Sequence, residues 1–174
     1  MALKGDRYEA ATDISFFMSA AATRGGIVSY STSGSGVALD QGDAVVAYAA
    51  VASGNVPLGL LLNDVVDIDQ TRQHINFHQN EVQLGGKVTV LTDGWVVTNS
   101  VSAVGTISAG DPAYMGQLGN LTDSQINVIN AGDPGGGNSA YPPVGEFMSS
   151  VDEDGYYKVR INLPQRVDGV GVIA

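Results

Sequence analysis

Two stretches of this chain echo one another, and a repeated unit constrains architecture more than any other sequence feature. The first begins Gly26-Ile27-Val28-Ser29-Tyr30 and reaches Gly42-Asp43-Ala44-Val45-Val46. The second begins Gly94-Trp95-Val96-Val97-Thr98 and reaches Gly110-Asp111-Pro112-Ala113-Tyr114. The offset is 68 positions at both landmarks. Each copy then meets a Pro-apolar-Gly string, Pro57-Leu58-Gly59-Leu60-Leu61 and Pro143-Val144-Gly145-Glu146-Phe147. Each ends on a Lys-led alternating segment, from Lys87 to Leu91 and from Lys158 to Leu163. The second copy is longer, and the added residues fall largely within 119–143, including Gly132 and the run Gly135-Gly136-Gly137.

Alternation with period two is the signature of strands with one wet face. Glycine, 23 of 174 residues, is well above its usual share and favours many turns over helices. The expected fold is therefore mainly β: a duplicated β-unit built as a barrel, a sandwich or a β-tulip-like form. One short N-terminal helix or arm precedes it. The expected divisions are an arm or helix over 1–25, a first unit over 26–91 and a second over 92–164. Within the second, 119–143 is an inserted Gly-rich loop, and 165–174 is a tail. All of these share one compact domain, and a chain this long buries enough surface to need no staple.

Three local expectations follow. Residues 8–23 carry Ala10, Ala11, Phe16, Phe17 and Met18, all compatible with a helix. Ile14, Phe17, Met18 and Ala21 would share its face, Asp13 or Thr12 could cap a shorter helix beginning near Ile14, and Gly25-Gly26 would stop it. The alternative is an extended arm whose Phe16 and Phe17 dock on a neighbouring subunit. Asp93-Gly94 is a hairpin signal, with Trp95 opening the return strand. Residues 64–81 suit a long ordered loop or strand pair between the copies.

The formal net charge is −10, with eight Lys and Arg. That opposes nucleic acid, whose phosphates call for clustered cations, and it opposes an anionic membrane surface. There is no cysteine, so neither disulfides nor thiolate metal sites contribute, which fits assembly inside a cell. No signal-peptide pattern and no bilayer-spanning apolar run stands out, so a soluble chain is expected.

No catalytic constellation emerges. His74 and His78 are spaced for one helix face, with Glu81, Asp67 and Asp69 nearby, but Ile75 stands where a metalloprotease helix carries Glu. A polar loop explains them better. Asp152-Glu153-Asp154-Gly155 lacks the ligand spacing of a calcium loop and reads as a solvated turn. Gly34-Ser35-Gly36 is followed by neither Lys nor helix, so it is no phosphate cradle, and Ser33 to Gly36 is no nucleophile elbow. The sole tryptophan, Trp95, can pack in a core, anchor an interface or stack on a sugar. The expectation is a non-enzymatic protein with no cofactor and no metal.

Four strings stand out: Met1 to Ala10 (MALKGDRYEA), Pro57 to Asp64 (PLGLLLND), Thr71 to Asn76 (TRQHIN) and Gly86 to Thr98 (GKVTVLTDGWVVT). Together they resemble virion structural proteins of marine tailed bacteriophages. The Gly110-Asp111-Pro112-Ala113-Tyr114 turn and the Gly145-Glu146-Phe147 strand are similar to bacteriophage head decoration, or cement, proteins of the lambda type. The resemblance implies a decoration protein on the virion exterior, assembled in the host cytoplasm. Its partners would be the major capsid protein and further copies of itself, as a trimer. The duplication and residues 64–81 depart from the small single-unit members. The candidate contacts are Phe16, Phe17, Trp95, Val170 and Ile173. Alternatives are a tail- or fibre-associated virion protein, and a β-sandwich carbohydrate-binding module.

Overall fold

The computed structural model describes residues 2–31, 45–51, 55–64, 81–124, 127–128, 139–140 and 143–163. In chain order the strands are β1 (Leu3–Met18), β2 (Ile27–Tyr30), β3 (Val45–Ala47), β4 (Pro57–Asp64), β5 (Lys87–Thr98), β6 (Pro112–Met115), β7 (Leu121–Thr122), β8 (Asn127–Val128), β9 (Ser139–Ala140), β10 (Gly145–Phe147) and β11 (Tyr157–Asn162). A single 3-10 turn, Gln117–Gly119, interrupts the described β structure. The chain is mainly β.

Nine strands form one mixed sheet in the order β1-β3-β2-β4-β5-β11-β10-β6-β7. Strand β1 also pairs with β5, so β1, β3, β2, β4 and β5 close on themselves as a small barrel. Strands β8 and β9 pair apart from it. The β1–β3 contact is parallel and short; the other pairings are antiparallel.

Two apolar clusters lie on opposite faces of the middle strands. Phe16, Met18, Val28, Val46, Leu61, Val82, Val88 and Val90 form one. The other gathers Leu3, Ile27, Leu60, Leu62, Leu91 and Val96 with Phe147, Val159 and Ile161 from the later strands. Neighbouring residues on β2 (Ile27, Val28) and β4 (Leu60, Leu61) thus feed different clusters. That is why Leu60-Leu61-Leu62 is an unbroken apolar run rather than an alternating one. On β5 the buried face switches phase between Val90 and Leu91, where the strand passes from one cluster to the other.

Residues 8–18 are strand, which corrects the N-terminal helix. Phe16 and Met18 are buried two apart with Phe17 half-buried between them, while Ile14 is exposed. Period two has overridden weak helical propensity, because a ladder to β5 and a place in the barrel interior are available. The arm expectation is corrected in the same way for Leu3, which is 3% exposed and packs in the larger cluster.

Asp93-Gly94 is not a hairpin: β5 runs straight through it for 12 residues. Gly94 has φ +147, and a Cβ there would collide with the carbonyl oxygen of Tyr8. Glycine is required for close approach of β1, not for a turn. The expected boundary between the two units, at 91/92, falls inside this strand. Strand β5 pairs with β4 over Val88–Leu91 and with β11 over Asp93–Thr98, while β1 follows its opposite edge.

The stretch 119–143 is not wholly an inserted loop. Gly119, Leu121 and Thr122 are buried, and Leu121 belongs to the larger cluster. Leu118 donates its backbone N–H to Ala49 O at 2.8 Å, which ties this turn to the first half of the chain. Residues 129–138, with their glycine run, lie outside the described residues, as do 32–44 and 65–80, with His74, His78, Asp67 and Asp69.

Candidate assembly surface

Cross-strand register brings together residues far apart in sequence. Tyr8 lies opposite Trp95, Trp95 opposite Arg160, Arg160 opposite Glu146, and Glu146 opposite Pro112. Directly paired residues share a sheet face, so these five side chains form one row across β1, β5, β11, β10 and β6. The row faces away from the larger cluster, whose members Val96, Val159 and Phe147 point the other way. Tyr8, Arg160, Glu146 and Pro112 are exposed, and Trp95 is half-buried.

Lys158, two residues before Arg160, stands on the same face. Its Nζ lies 3.5 Å from the centre of the Trp95 ring. The electron-rich ring face attracts the ammonium, and the lysine stem covers apolar surface beside it. Further along the row, Arg160 and Glu146 approach to 3.9 Å. Both side chains are half exposed, so this pair contributes little beyond orienting the two charges. A groove of about 330 Å³ opens there, lined by Gly110, Pro112, Pro143, Gly145, Glu146, Arg160 and Asn162.

The acidic turn at 152–155 flanks the same half of the sheet. Lys4 Nζ donates to Asp152 Oδ2 at 2.8 Å and to Asp154 Oδ2 at 3.1 Å, and lies 4.3 Å from the centre of the Tyr156 ring. Asp152 Oδ1 accepts the backbone N–H groups of Tyr156 and Asp154. The Lys4 ammonium, helped by the Tyr156 amide, holds the Asp152 carboxyl below its usual range. Reciprocally, hydrogen bonds to Asp152 and then Asp154 raise Lys4. The carboxylates are spent on a lysine and backbone amides of this chain, as a solvated structural turn requires.

Each described cation has a partner. Arg7 pairs with Glu9 at 2.6 Å, Arg24 lies 3.7 Å from Glu81, and Lys87 stands 5.9 Å above the Phe17 ring. Spread out and paired in this way, the described cations form no continuous basic track for a polyanion.

Of the expected contact residues, Trp95 takes a place in the row, between Tyr8 and Arg160. Phe17 is half-buried under Lys87. Phe16 is 9% exposed, belongs to the barrel cluster, and meets the Tyr30 ring edge-on at 5.9 Å. Its ring is committed to the chain's own core, which corrects its assignment as a partner contact. Val170 and Ile173 lie outside the described residues. The sequence reading missed Tyr8, Glu146 and Arg160. The alternation of β11 does place Lys158 and Arg160 on its wet face, but which strand lies beside them is a non-local fact. Glu81, considered as a metal ligand, accepts the Arg24 backbone N–H at 3.0 Å.

No protein-family model matches this chain, and no curated protein matches it.

Proposed function

We propose that this protein is a non-enzymatic capsid decoration protein of a tailed bacteriophage, held on the outer face of the assembled head. Its partner would be the major capsid protein, and its place the virion exterior after assembly in the host cytoplasm. The observation that carries this reading is the row Tyr8–Trp95–Arg160–Glu146–Pro112. It is a sheet-backed surface that sets two aromatic residues, Tyr8 and Trp95, beside a charged pair, Arg160 and Glu146, and Tyr, Trp and Arg are the residue types enriched at docking faces. The resemblance of the Gly110-to-Tyr114 turn and the Gly145-Glu146-Phe147 strand to head decoration proteins points the same way. A binder that recognises only the expanded lattice stabilises that lattice by mass action, and many equivalent sites multiply a modest affinity.

The Trp95 geometry gives less to the carbohydrate-module alternative, because the Lys158 ammonium stands over the ring on which a sugar would stack.

The test is occupancy. Purified chain is added to heads stripped of their exterior proteins, and bound protein is counted after sedimentation and by electron cryomicroscopy. Saturable occupancy of expanded heads, reduced by Arg160→Glu and Tyr8→Ser, is the expected result. Absence of binding to expanded heads at saturating protein would overturn the proposal.

A further inference from the structure

Strand β1 is 16 residues long, and every residue from Gly5 to Thr12 is exposed although the strand is laddered to β5 on one edge. Among the described residues its other neighbour is β3, which reaches only Phe17 and Met18. Among the described residues, 3–15 therefore present an edge without a strand partner, with Tyr8 57% and Ile14 51% exposed. Such an edge carries backbone donors and acceptors ready to extend the sheet. Eight successive ordered residues with almost no burial are also an unusual expense of backbone entropy.

The register of β1 on β5 is broken between Leu3 and Arg7, between Glu9 and Ala11, between Ala11 and Thr12, and between Asp13 and Phe16. Bulges guard an edge against sliding contacts. Between them Arg7, Tyr8 and Glu9 form the one run of three consecutive regular pairs. That run is self-complementary. In an antiparallel pairing about a two-fold axis through Tyr8, the tyrosine meets its own copy. Arg7 of each chain then lies opposite Glu9 of the other. Within one chain Arg7 pairs with Glu9 at 2.6 Å, and docking exchanges that pair for two pairs across the axis. Lys4 does not compete for these acids, because Asp152 and Asp154 hold it.

We propose that a second copy of this chain docks on this edge, β1 against β1, with Tyr8 on the two-fold axis. The contact is isologous and closes as a pair, in contrast to the three-fold assembly that the resemblance implies. It deepens the assembly proposal above and rests on it for its context. Its test uses isolated chain without heads, so its failure and a failure of head binding are read separately.

The chain has no cysteine, so an introduced thiol reports one contact. Tyr8→Cys is expected to form an intermolecular disulfide under mild oxidation. Ile14→Cys, similarly exposed, is not, because in this register the two copies of residue 14 lie about 40 Å apart at ~3.3 Å per residue. In sedimentation velocity the native chain is expected to form dimers. Arg7→Glu is expected to weaken them at least tenfold, and Arg7→Glu with Glu9→Arg to restore them, with circular dichroism verifying the fold of each variant. A native chain monomeric at all concentrations would overturn the proposal. So would equal cross-linking at positions 8 and 14, or a folded double reversal that fails to restore pairing.

Discussion

Gly59 stands so close to Leu91 that a Cβ built on it would lie 2.5 Å from the Leu91 carbonyl oxygen, and equally close to Val90 Cγ1. Gly145 has the same relation to the carbonyl of Arg160, with a shorter approach. Both are the glycine of a Pro-apolar-Gly string, and both face a Lys-led strand. Gly59→Ala and Gly145→Ala should each destabilise by about 1–3 kcal/mol, the usual cost of forcing a methyl into packed structure. Gly5→Ala, with nothing within 4 Å of its Cβ, should stay within about 0.5 kcal/mol of the parent. Urea midpoints check this, and equal midpoints for all three would refute it.

Leu3 anchors the start of β1 in the larger cluster. Leu3→Ala should cost about 2–5 kcal/mol, as other buried leucine truncations do. Removing residues 1–7 should destabilise the isolated chain at least as much, since it also removes the Lys4 contacts with the acidic turn. Thermal unfolding of both variants tests this. A truncated chain as stable as its parent would return these residues to the role of a free arm.

The Tyr48 hydroxyl joins two segments. It accepts the Gly26 N–H at 3.1 Å and donates to Thr23 O at 2.6 Å. Tyr48→Phe strands both backbone groups and should cost about 1–3 kcal/mol. An unchanged urea midpoint would mean that water replaces the hydroxyl.

A single tryptophan makes fluorescence a local probe. Lys158→Gln removes the ammonium from the Trp95 ring, so the emission maximum or yield should change. Stability should fall by about 0.5–1 kcal/mol. Emission and stability identical to the parent would show that the contact is not populated in solution.

The pH dependence has two limbs. Asp123 accepts the amides of Val104 at 2.8 Å and Gly105 at 3.0 Å, and those bonds, the first foremost, hold its carboxyl below its usual value. Asp152 is lowered by Lys4. A depressed carboxylate contributes stability that is in place above its unfolded pKa and is lost as pH falls through its folded one. Stability should therefore decline below about pH 4. On the alkaline side, Asp152 raises Lys4, and burial raises Tyr48. A raised group contributes stability that is complete below its unfolded pKa and fades above it, here above about pH 10. Asp123→Asn should flatten the acid limb. Midpoints measured across pH check both limbs, and an acid limb unchanged by that variant would count against the Asp123 role.

Period two was legible where one face is wet, as in Lys158 to Leu163, and there the strand and its exposed cations can be read directly. It was illegible at Ala10-Ala11-Thr12, where helical propensity and strand pairing compete and only the distant β5 decides. The Asp93-Gly94 pair misleads for a related reason. A glycine needed for close approach looks, in one dimension, like a glycine needed for a turn. The row through Trp95 was legible only in part, because it depends on which strands lie side by side across as many as 87 residues, from Tyr8 to Trp95. Local pattern carries no term for that choice.

Strand β5 belongs to the barrel through Val88–Leu91 and to the outer layer through Asp93–Thr98, with β1 alongside both. The consequence is mechanical. Pulled along its axis, β5 cannot peel away one rung at a time. It loads its ladders on both edges together, in shear, and the two cores must yield in the same event. Among the described residues, β5 is thus a rigid tie rather than a hinge, and tension along it reaches both cores together.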